Sequence, residues 1–169
     1  MRKIVFFLQF GIVCALVLVS CQTGLDIGMM RAGEEGEYPV FVANALREAS
    51  YTALVGVGTA QAESMYAAGQ PKINAVFRAR QEIFRQLNEI VLNLEMEDAS
   101  EAFSHSSLAD LEMININIDE NRMVWCIVQL PRNACMQEIS AATQKKLNTR
   151  DFDAALEKVI HEPVQIGSN

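Results

Sequence analysis

The longest regular feature of the sequence is an apolar stripe at helical spacing over residues 72–94. Its large side chains recur every three or four residues, as one face of an α-helix requires: Ile73, Val76, Phe77, Ile83, Phe84, Leu87, Ile90, Val91 and Leu94. A helix of this length would measure about 34 Å at a rise of about 1.5 Å per residue. We therefore predict one long helix that covers a face of a small sheet, with Ala75 and Ala79 allowing close approach.

Three segments have the composition of β-strands. Residues 51–59 are rich in β-formers and contain Gly56 and Gly58, which favours a buried strand on which another element packs closely. Residues 114–118 alternate apolar and polar side chains, which predicts a half-buried strand with its isoleucines inward. Residues 123–130 are apolar on both faces and are predicted to lie inside the sheet, in a hairpin with the preceding strand.

Shorter helices are predicted on either side of this core. Val42, Leu46 and Ala49 have helical spacing and indicate a helix over residues 41–49. Residues 134–147 show a similar pattern. A last helix is predicted to be capped by Thr149 and stopped by Pro163. The acidic, serine-rich residues 95–107 between these helices are predicted to form an exposed connection.

The amino terminus has the pattern of a secretory signal. Arg2 and Lys3 precede an apolar run over residues 4–19, and Ser20 follows it immediately before Cys21. This run is shorter than the roughly 20 residues that a membrane-spanning helix needs. A transmembrane anchor and a secreted product without lipid are the alternatives. The ending resembles the lipobox of bacterial lipoproteins, in which the cysteine thiol takes a diacylglycerol and the chain is cut before it.

This resemblance implies a lipoprotein signal peptide over residues 1–20. From composition and apolar spacing we predict a flexible tether over residues 21–37 and a single α+β domain over residues 38–162. Glycines in the tether favour flexibility, although its Leu25, Ile27, Met29 and Met30 could pack on another surface. Gln22 stands where many inner-membrane lipoproteins have aspartate, which favours the outer membrane.

The charge balance argues against nucleic acid as a partner. The whole chain carries a net charge of −7, and loss of Arg2 and Lys3 with the signal would make it −9 (12 basic against 21 acidic residues). An acidic chain without a basic cluster has no electrostatic footprint for nucleic acid or for anionic lipid.

The two cysteines that follow the lipobox, Cys126 and Cys135, leave two interpretations open. A cell envelope permits disulfides, and the pair could form one if the chain folded back between them. The apolar run around Cys126 favours a free buried thiol instead. The spacing of the pair, with no histidine nearby, does not indicate a zinc site.

Candidate catalytic groups are few. The pairs Glu101/His105 and Glu157/His161 would each share a helix face, but two ligands do not make a metal site, and solvated ion pairs are favoured. The serines beside His105 indicate a polar loop rather than an activated nucleophile. We therefore predict no enzyme activity, no cofactor and no metal.

The order of these segments resembles the Lpp-twenty-like bacterial lipoproteins. The resemblance rests on the lipobox Cys21, the start Y-P-V-F-V at residues 38–42, the strand Y-T-A-L-V-G-V-G-T-A at residues 51–60, the Ala/Arg helix that follows, and the strand V-W-C-I-V-Q-L at residues 124–130. It covers about residues 38–135. Members are similar in turn to the amino-terminal domain of a flagellar assembly protein and to an outer-membrane flagellar lipoprotein.

The resemblance implies a small α/β (α+β) domain with a long helix packed on one face of a small, mostly antiparallel sheet, to which the helical spacing adds C-terminal helices. It implies no catalytic residues. We predict a lipid-anchored cell-envelope protein with a structural or interaction role, in an outer-membrane or flagellar assembly. Its partners would be the membrane and an envelope protein or a second copy. The alternative is a periplasmic module that binds a small apolar or lipid ligand.

Overall fold

The computed structural model describes residues 38–48, 53–160 and 166–167. The elements in chain order are α1 (Val40–Glu48), β1 (Ala53–Gln61), α2 (Gly69–Asn93), α3 (Ser100–Ser104), β2 (Glu112–Ile118), β3 (Met123–Pro131), α4 (Arg132–Thr143), α5 (Thr149–Ile160) and β4 (Ile166–Gly167). The predicted signal peptide, Cys21 and the predicted tether lie outside the described residues.

The sheet has the strand order β2-β3-β1-β4. β3 pairs antiparallel with both β2 and β1, and β4 pairs in parallel with Val57 and Gly58 of β1. The predicted hairpin and the interior position of β3 are therefore confirmed. The predicted α+β fold, with its long helix on a mostly antiparallel sheet and its C-terminal helices, is confirmed as well. β4 lies beyond residue 162, where the domain was predicted to end.

Helices cover both faces of this sheet. On one face, α2, α4 and α5 contribute to the larger apolar cluster together with alternate residues of β3, such as Cys126 and Val128. On the other face, α1 contributes Val42 and Leu46 to a smaller cluster. The sequence predicted a long helix on one face only. The second layer follows from β1, whose residues are buried on both sides along almost its whole length.

The close contact between α2 and β1 depends on the two glycines of the strand. A Cβ atom on Gly56 would overlap the carbonyl oxygen of Ala79, and one on Gly58 would overlap that of Ala75. The helix backbone therefore lies directly against the strand backbone, and all four positions must be small. This confirms the interpretation of the glycines and alanines as residues that permit close packing.

The predicted stripe of α2 is wrong at two positions in its first half, although Val76 packs against the larger cluster as predicted. Ile73 and Phe77 are 62% and 60% exposed. They share one side of the helix with Phe84, which is buried and belongs to the larger cluster. The chain after α2 contacts the helix at Arg80, whose guanidinium donates to the carbonyl of Ser107 at 3.1 Å. The two exposed side chains precede that contact in the helix.

Strand β2 contains an irregularity that the alternating pattern did not predict. The pairing with β3 shifts between Met113 and Asn115, so that Ile114 is the extra residue of a β-bulge. Ile116 and Ile118 pack against the larger cluster, whereas Ile114 packs against the smaller one. The strand is confirmed, but its isoleucines divide between the two faces instead of sharing one.

The remaining predicted helices are confirmed with changed ends. Helix α4 stops at Thr143 because Gln144 takes the left-handed conformation (φ 54°), although Leu147 beyond it is still buried. Helix α5 is capped by Asn148 and not by Thr149, since the Asn148 side-chain oxygen accepts from the backbone N–H of Arg150 at 2.9 Å. The predicted exposed connection 95–107 contains α3, which places Phe103 in the core.

Candidate functional site

One end of the domain combines the first turn of α1, the β2–β3 turn, the β1–α2 loop and the start of α2. We call it the tether end, because the chain from the predicted tether joins it at Tyr38; it comprises residues 38–41, 62–77 and 118–122. α2 starts here and runs back along β1 toward the opposite end, as the contacts of Gly58 with Ala75 and Gly56 with Ala79 show.

Trp125 of β3 connects two parts of the tether end, the start of α1 and the β2–β3 turn. Its ring meets that of Tyr38 edge to face, with centroids 6.2 Å apart and planes at 69°. Its indole N–H donates to Asp119 Oδ2 at 2.9 Å. The other oxygen of Asp119 accepts from the backbone N–H groups of Asn121 and Met123 at 2.8 and 2.9 Å. The interpretation of Trp125 as a packing residue is confirmed, and its link to Asp119 is a contact that sequence reasoning missed.

Three hydrogen bonds fix the β1–α2 loop to the hairpin turn. Ala62 N–H donates to the carbonyl of Arg122 at 2.9 Å. The Gln61 amide donates to the carbonyl of Asn121 at 3.0 Å, and the Arg122 guanidinium donates to the carbonyl of Glu63 at 2.7 Å. Because these bonds run in both directions, the loop and the turn form one continuous surface.

An open cleft of about 780 Å³ lies between the start of α1 and the hairpin turn. Its lining combines apolar groups with carboxylates and amides; Phe41, Asn44, Ile118, Asp119 and Glu120 belong to it. Tyr38 and Trp125 also line the cleft, but both are almost fully buried, so that their rings offer little free surface. No residue pattern in the sequence predicted this cleft.

The Ser/His segment is a helix end. Ser104 Oγ donates to the carbonyl of Glu101 at 2.7 Å, and the imidazole Nδ1 of His105 lies 2.9 Å from the same carbonyl oxygen. Ser106 Oγ donates to Glu138 Oε2 at 2.6 Å. The structure thus brings Glu101 and His105 together through a backbone oxygen. An open cleft of about 450 Å³ adjoins them.

Both remaining cysteines are free and buried. Cys126 lies in β3, and burial raises the pKa of its thiol to about 11. Cys135 lies in the first turn of α4 and donates to the carbonyl of Leu130 at 3.3 Å; burial raises its pKa to about 12. Both thiols are therefore protonated at neutral pH, which is the unreactive form.

The side of α2 next to the β1 edge carries a polar network that sequence reasoning also missed. The Gln86 amide donates to the carbonyl of Val55 at 2.8 Å and to Glu82 Oε1 at 2.9 Å. Arg85 pairs with Glu82 at 2.8 Å, and their hydrogen bond is the main cause that raises the pKa of Arg85. Arg78 donates to the carbonyl of Thr59. These bonds satisfy strand carbonyls on either side of the short pairing with β4.

The described residues contain neither a cluster of potential metal ligands nor a helix that could span a membrane. Within residues 38–48, 53–160 and 166–167, no cluster of three or more His, Cys, Asp or Glu has the geometry to hold a metal ion. No helix in the same residues is both long enough and apolar enough to span a membrane. Glu157 lies on α5, but its predicted partner His161 is outside the described residues.

Comparison with known proteins assigns no family to the chain. No family model, no curated protein and no solved structure matches it. The resemblance to the Lpp-twenty-like lipoproteins therefore stays a prediction, and function has to be argued from the residues themselves.

Proposed function

We propose that this protein is a lipid-anchored protein of the bacterial cell envelope with a non-catalytic structural or interaction role. The observation that carries the proposal is the amino-terminal sequence: a basic start, an apolar run, and then Leu18, Val19 and Ser20 directly before Cys21. Lipidation of Cys21 would add two or more acyl chains, which give stable attachment where a single chain gives only marginal attachment.

The contacts of the reactive side chains support an interaction role over a catalytic one. The two buried thiols are held protonated. Ser104 and His105 bind the end of their own helix, and Asp119 binds its own turn and Trp125. Each of these groups makes a local structural contact. We therefore infer that the domain acts by binding a partner through its surface.

We place the protein at the outer membrane, because Gln22 follows the lipobox cysteine where inner-membrane retention favours aspartate. The predicted tether would set how far the domain reaches from that membrane. Its partner would be an envelope protein, such as a component of a flagellar assembly, or a second copy of the chain. The acidic net charge argues against nucleic acid.

Intact mass tests the anchor. Protein purified from membranes in detergent should have the mass of residues 21–169 plus a diacylglycerol and a fatty acyl group. The Cys21→Ser variant should keep the signal and lose both lipid modifications. Cys14→Ser is the matched control, because it changes a cysteine inside the apolar run and should leave processing and lipidation unchanged. An unmodified mass for the wild-type mature chain would overturn the proposal.

The cleft of about 780 Å³ favours one second candidate, a periplasmic module for a small apolar or lipid ligand. A ligand in this cleft would contact Phe41 and Ile118 and would bring a polar group toward Asn44. Native mass spectrometry separates the two functions. A bound ligand adds mass that denaturation removes, whereas acylation of Cys21 adds mass that survives denaturation.

A further inference from the structure

The tether end exposes apolar side chains that the fold does not use. Val40, Met65, Tyr66 and Ile73 are 77%, 54%, 101% and 62% exposed. Phe77 extends this group by one helical turn from Ile73. We call these five residues the apolar patch. At the opposite end the exposed large apolar residues that the structure describes are Leu92 and Met113.

The members of the apolar patch come from separate elements at one end of the domain, with α1 and α2 on opposite faces of the sheet and the β1–α2 loop at the end of the sheet. Val40 starts α1, Met65 and Tyr66 lie in the β1–α2 loop, and Ile73 and Phe77 lie in the first turns of α2. The hydrogen bonds between residues 61–63 and 121–122 fix the loop against the hairpin turn. The hairpin turn and the start of α1 line the same cleft.

The length of chain between the predicted lipid anchor and the domain argues for the membrane as the occupant of the patch. Residues 22–37 connect Cys21 to Tyr38, and even a fully extended chain of this length spans at most about 50–60 Å. The tether joins the domain at the end that carries the patch. A short link raises the effective concentration of a second, weak contact to about the millimolar range. A tether that starts at a lipidated Cys21 would keep the patch close to the membrane in which the lipid is inserted.

We propose that the apolar patch inserts into the interface of the membrane that holds Cys21, so that the anchored domain rests on the lipid surface through its tether end. This inference depends on the proposed lipid anchor. Tyrosine suits such a position, because its ring is apolar and its hydroxyl remains hydrated. Methionine adds a flexible apolar side chain that adapts to a disordered environment.

Charge has a small part in this contact. The tether end carries Glu63, Asp119 and Glu120 against Lys72 and Arg122. With acidic groups in slight excess, attraction to anionic lipid is not what would hold the patch on the surface. Insertion should therefore occur on zwitterionic vesicles, and it should depend little on salt.

The test uses the mature lipidated protein in phosphatidylcholine vesicles whose acyl chains carry bromine, which quenches nearby tryptophan. Tyr66→Trp places the probe in the patch. Leu92→Trp is the matched control, because it is another exposed apolar position on the last turns of α2, at the opposite end of the domain. Trp125 is common to both variants and cancels in the comparison.

We expect bromine to quench the added tryptophan of Tyr66→Trp at least about twofold more than that of Leu92→Trp, because an interfacial group lies within about 5–10 Å of the headgroup–acyl boundary. Met65→Trp should repeat the result. Equal quenching of the two variants on vesicles that carry the protein would overturn the inference. Protection of the Tyr66→Trp probe from an aqueous quencher without bromine quenching would also overturn it, and would indicate that a second copy or the tether covers the patch.

Flotation of the vesicles separates this outcome from failure of the proposed function. If the wild-type protein floats with the vesicles and the probe is not quenched, the anchor holds and only the inference is wrong. If the wild-type protein does not float, the lipid anchor itself is wrong, and the inference is overturned with it.

Discussion

At the residue scale, Gly58 leaves no room for a side chain. A Cβ atom there would overlap the carbonyl oxygen of Ala75 and the backbone N of Ala79, both parts of a helix backbone that cannot move alone. Gly58→Ala should lower the free energy of unfolding by about 1–3 kcal/mol, the usual cost of overpacking. Urea unfolding followed by far-UV circular dichroism measures it.

Gly69→Ala is the control for this substitution. Gly69 opens α2, and an added Cβ would have nothing within 4 Å. Alanine is also the better helix former, by up to about 1 kcal/mol in a helix interior. This variant should be as stable as wild type or slightly more so. If Gly58→Ala unfolded at the same urea concentration as Gly69→Ala, that result would contradict the direct packing of the α2 backbone on the β1 backbone.

The two buried thiols give a residue-scale prediction about pH. Burial raises the pKa of Cys126 from 9.0 to about 11 and that of Cys135 to about 12. As the pH rises, the thiols of the unfolded chain lose their protons before those of the folded protein. The contribution of the two thiols to the free energy of unfolding is therefore fully present below pH 9, and it is lost as the pH rises toward their pKa values in the folded protein. Unfolding curves at pH 8 and pH 10.5 should show this loss, and Cys126→Ala should reduce it. An identical loss in Cys126→Ala and wild type would contradict the assignment to Cys126.

At the element scale, the two halves of α2 have different roles. In the first half the helix contacts the sheet through Ala75 and Ala79, and Ile73 and Phe77 remain at the surface. In the second half Ile83 and Leu87 are fully buried. Ile83 lies against β1, since a Cβ atom on Gly56 would come within 3.1 Å of its side chain.

A pair of substitutions tests this division. Ile83→Ala should lower the free energy of unfolding by about 2–5 kcal/mol, because it leaves a cavity in the core. Ile73→Ala removes the same atoms from an exposed position and should change stability by no more than about 0.5 kcal/mol. Chemical denaturation of the two variants under identical conditions measures both values. A similar loss in the two variants would mean that Ile73 is covered in the folded protein.

At the scale of the whole molecule, the sheet separates two apolar clusters of unequal size. α2, α4 and α5 cover one face with a large cluster, whereas α1 covers the other with a short helix and few buried side chains. Local stability rises with buried apolar contact. The α1 layer should therefore open more readily than the layer of α2.

Hydrogen exchange followed by mass spectrometry checks this expectation. Amides of Val42–Leu46 in α1 should exchange faster than amides of Ile83–Ile90 in α2 under conditions in which the protein is folded. The matched comparison is α5, another short helix, whose Phe152 and Leu156 belong to the larger cluster. If α1 were protected as well as the middle of α2, the two layers would unfold as one unit.

Local patterns predicted the elements well for a physical reason. The spacing of apolar residues indicates which face of a segment is buried on folding. The long helix, the hairpin and the buried strand with its glycines could therefore be predicted from the sequence. The lipobox-like ending at Cys21 is equally local, because it is a continuous stretch of chain. The packing interpretation of Trp125 follows from its apolar neighbours in β3.

Only tertiary structure decided which apolar faces find a partner. The apolar spacing of α2 is the same along its length, but Phe84 is buried whereas Ile73 on the same side of the helix is exposed. The isoleucines of β2 lie on two faces of the sheet because the strand contains a bulge. The cleft and the Asp119–Trp125 hydrogen bond depend on the β2–β3 turn, which meets α1 from another part of the chain. Periodicity records the chemistry of each side chain, whereas burial depends on segments that are distant in sequence and meet only when the chain has folded.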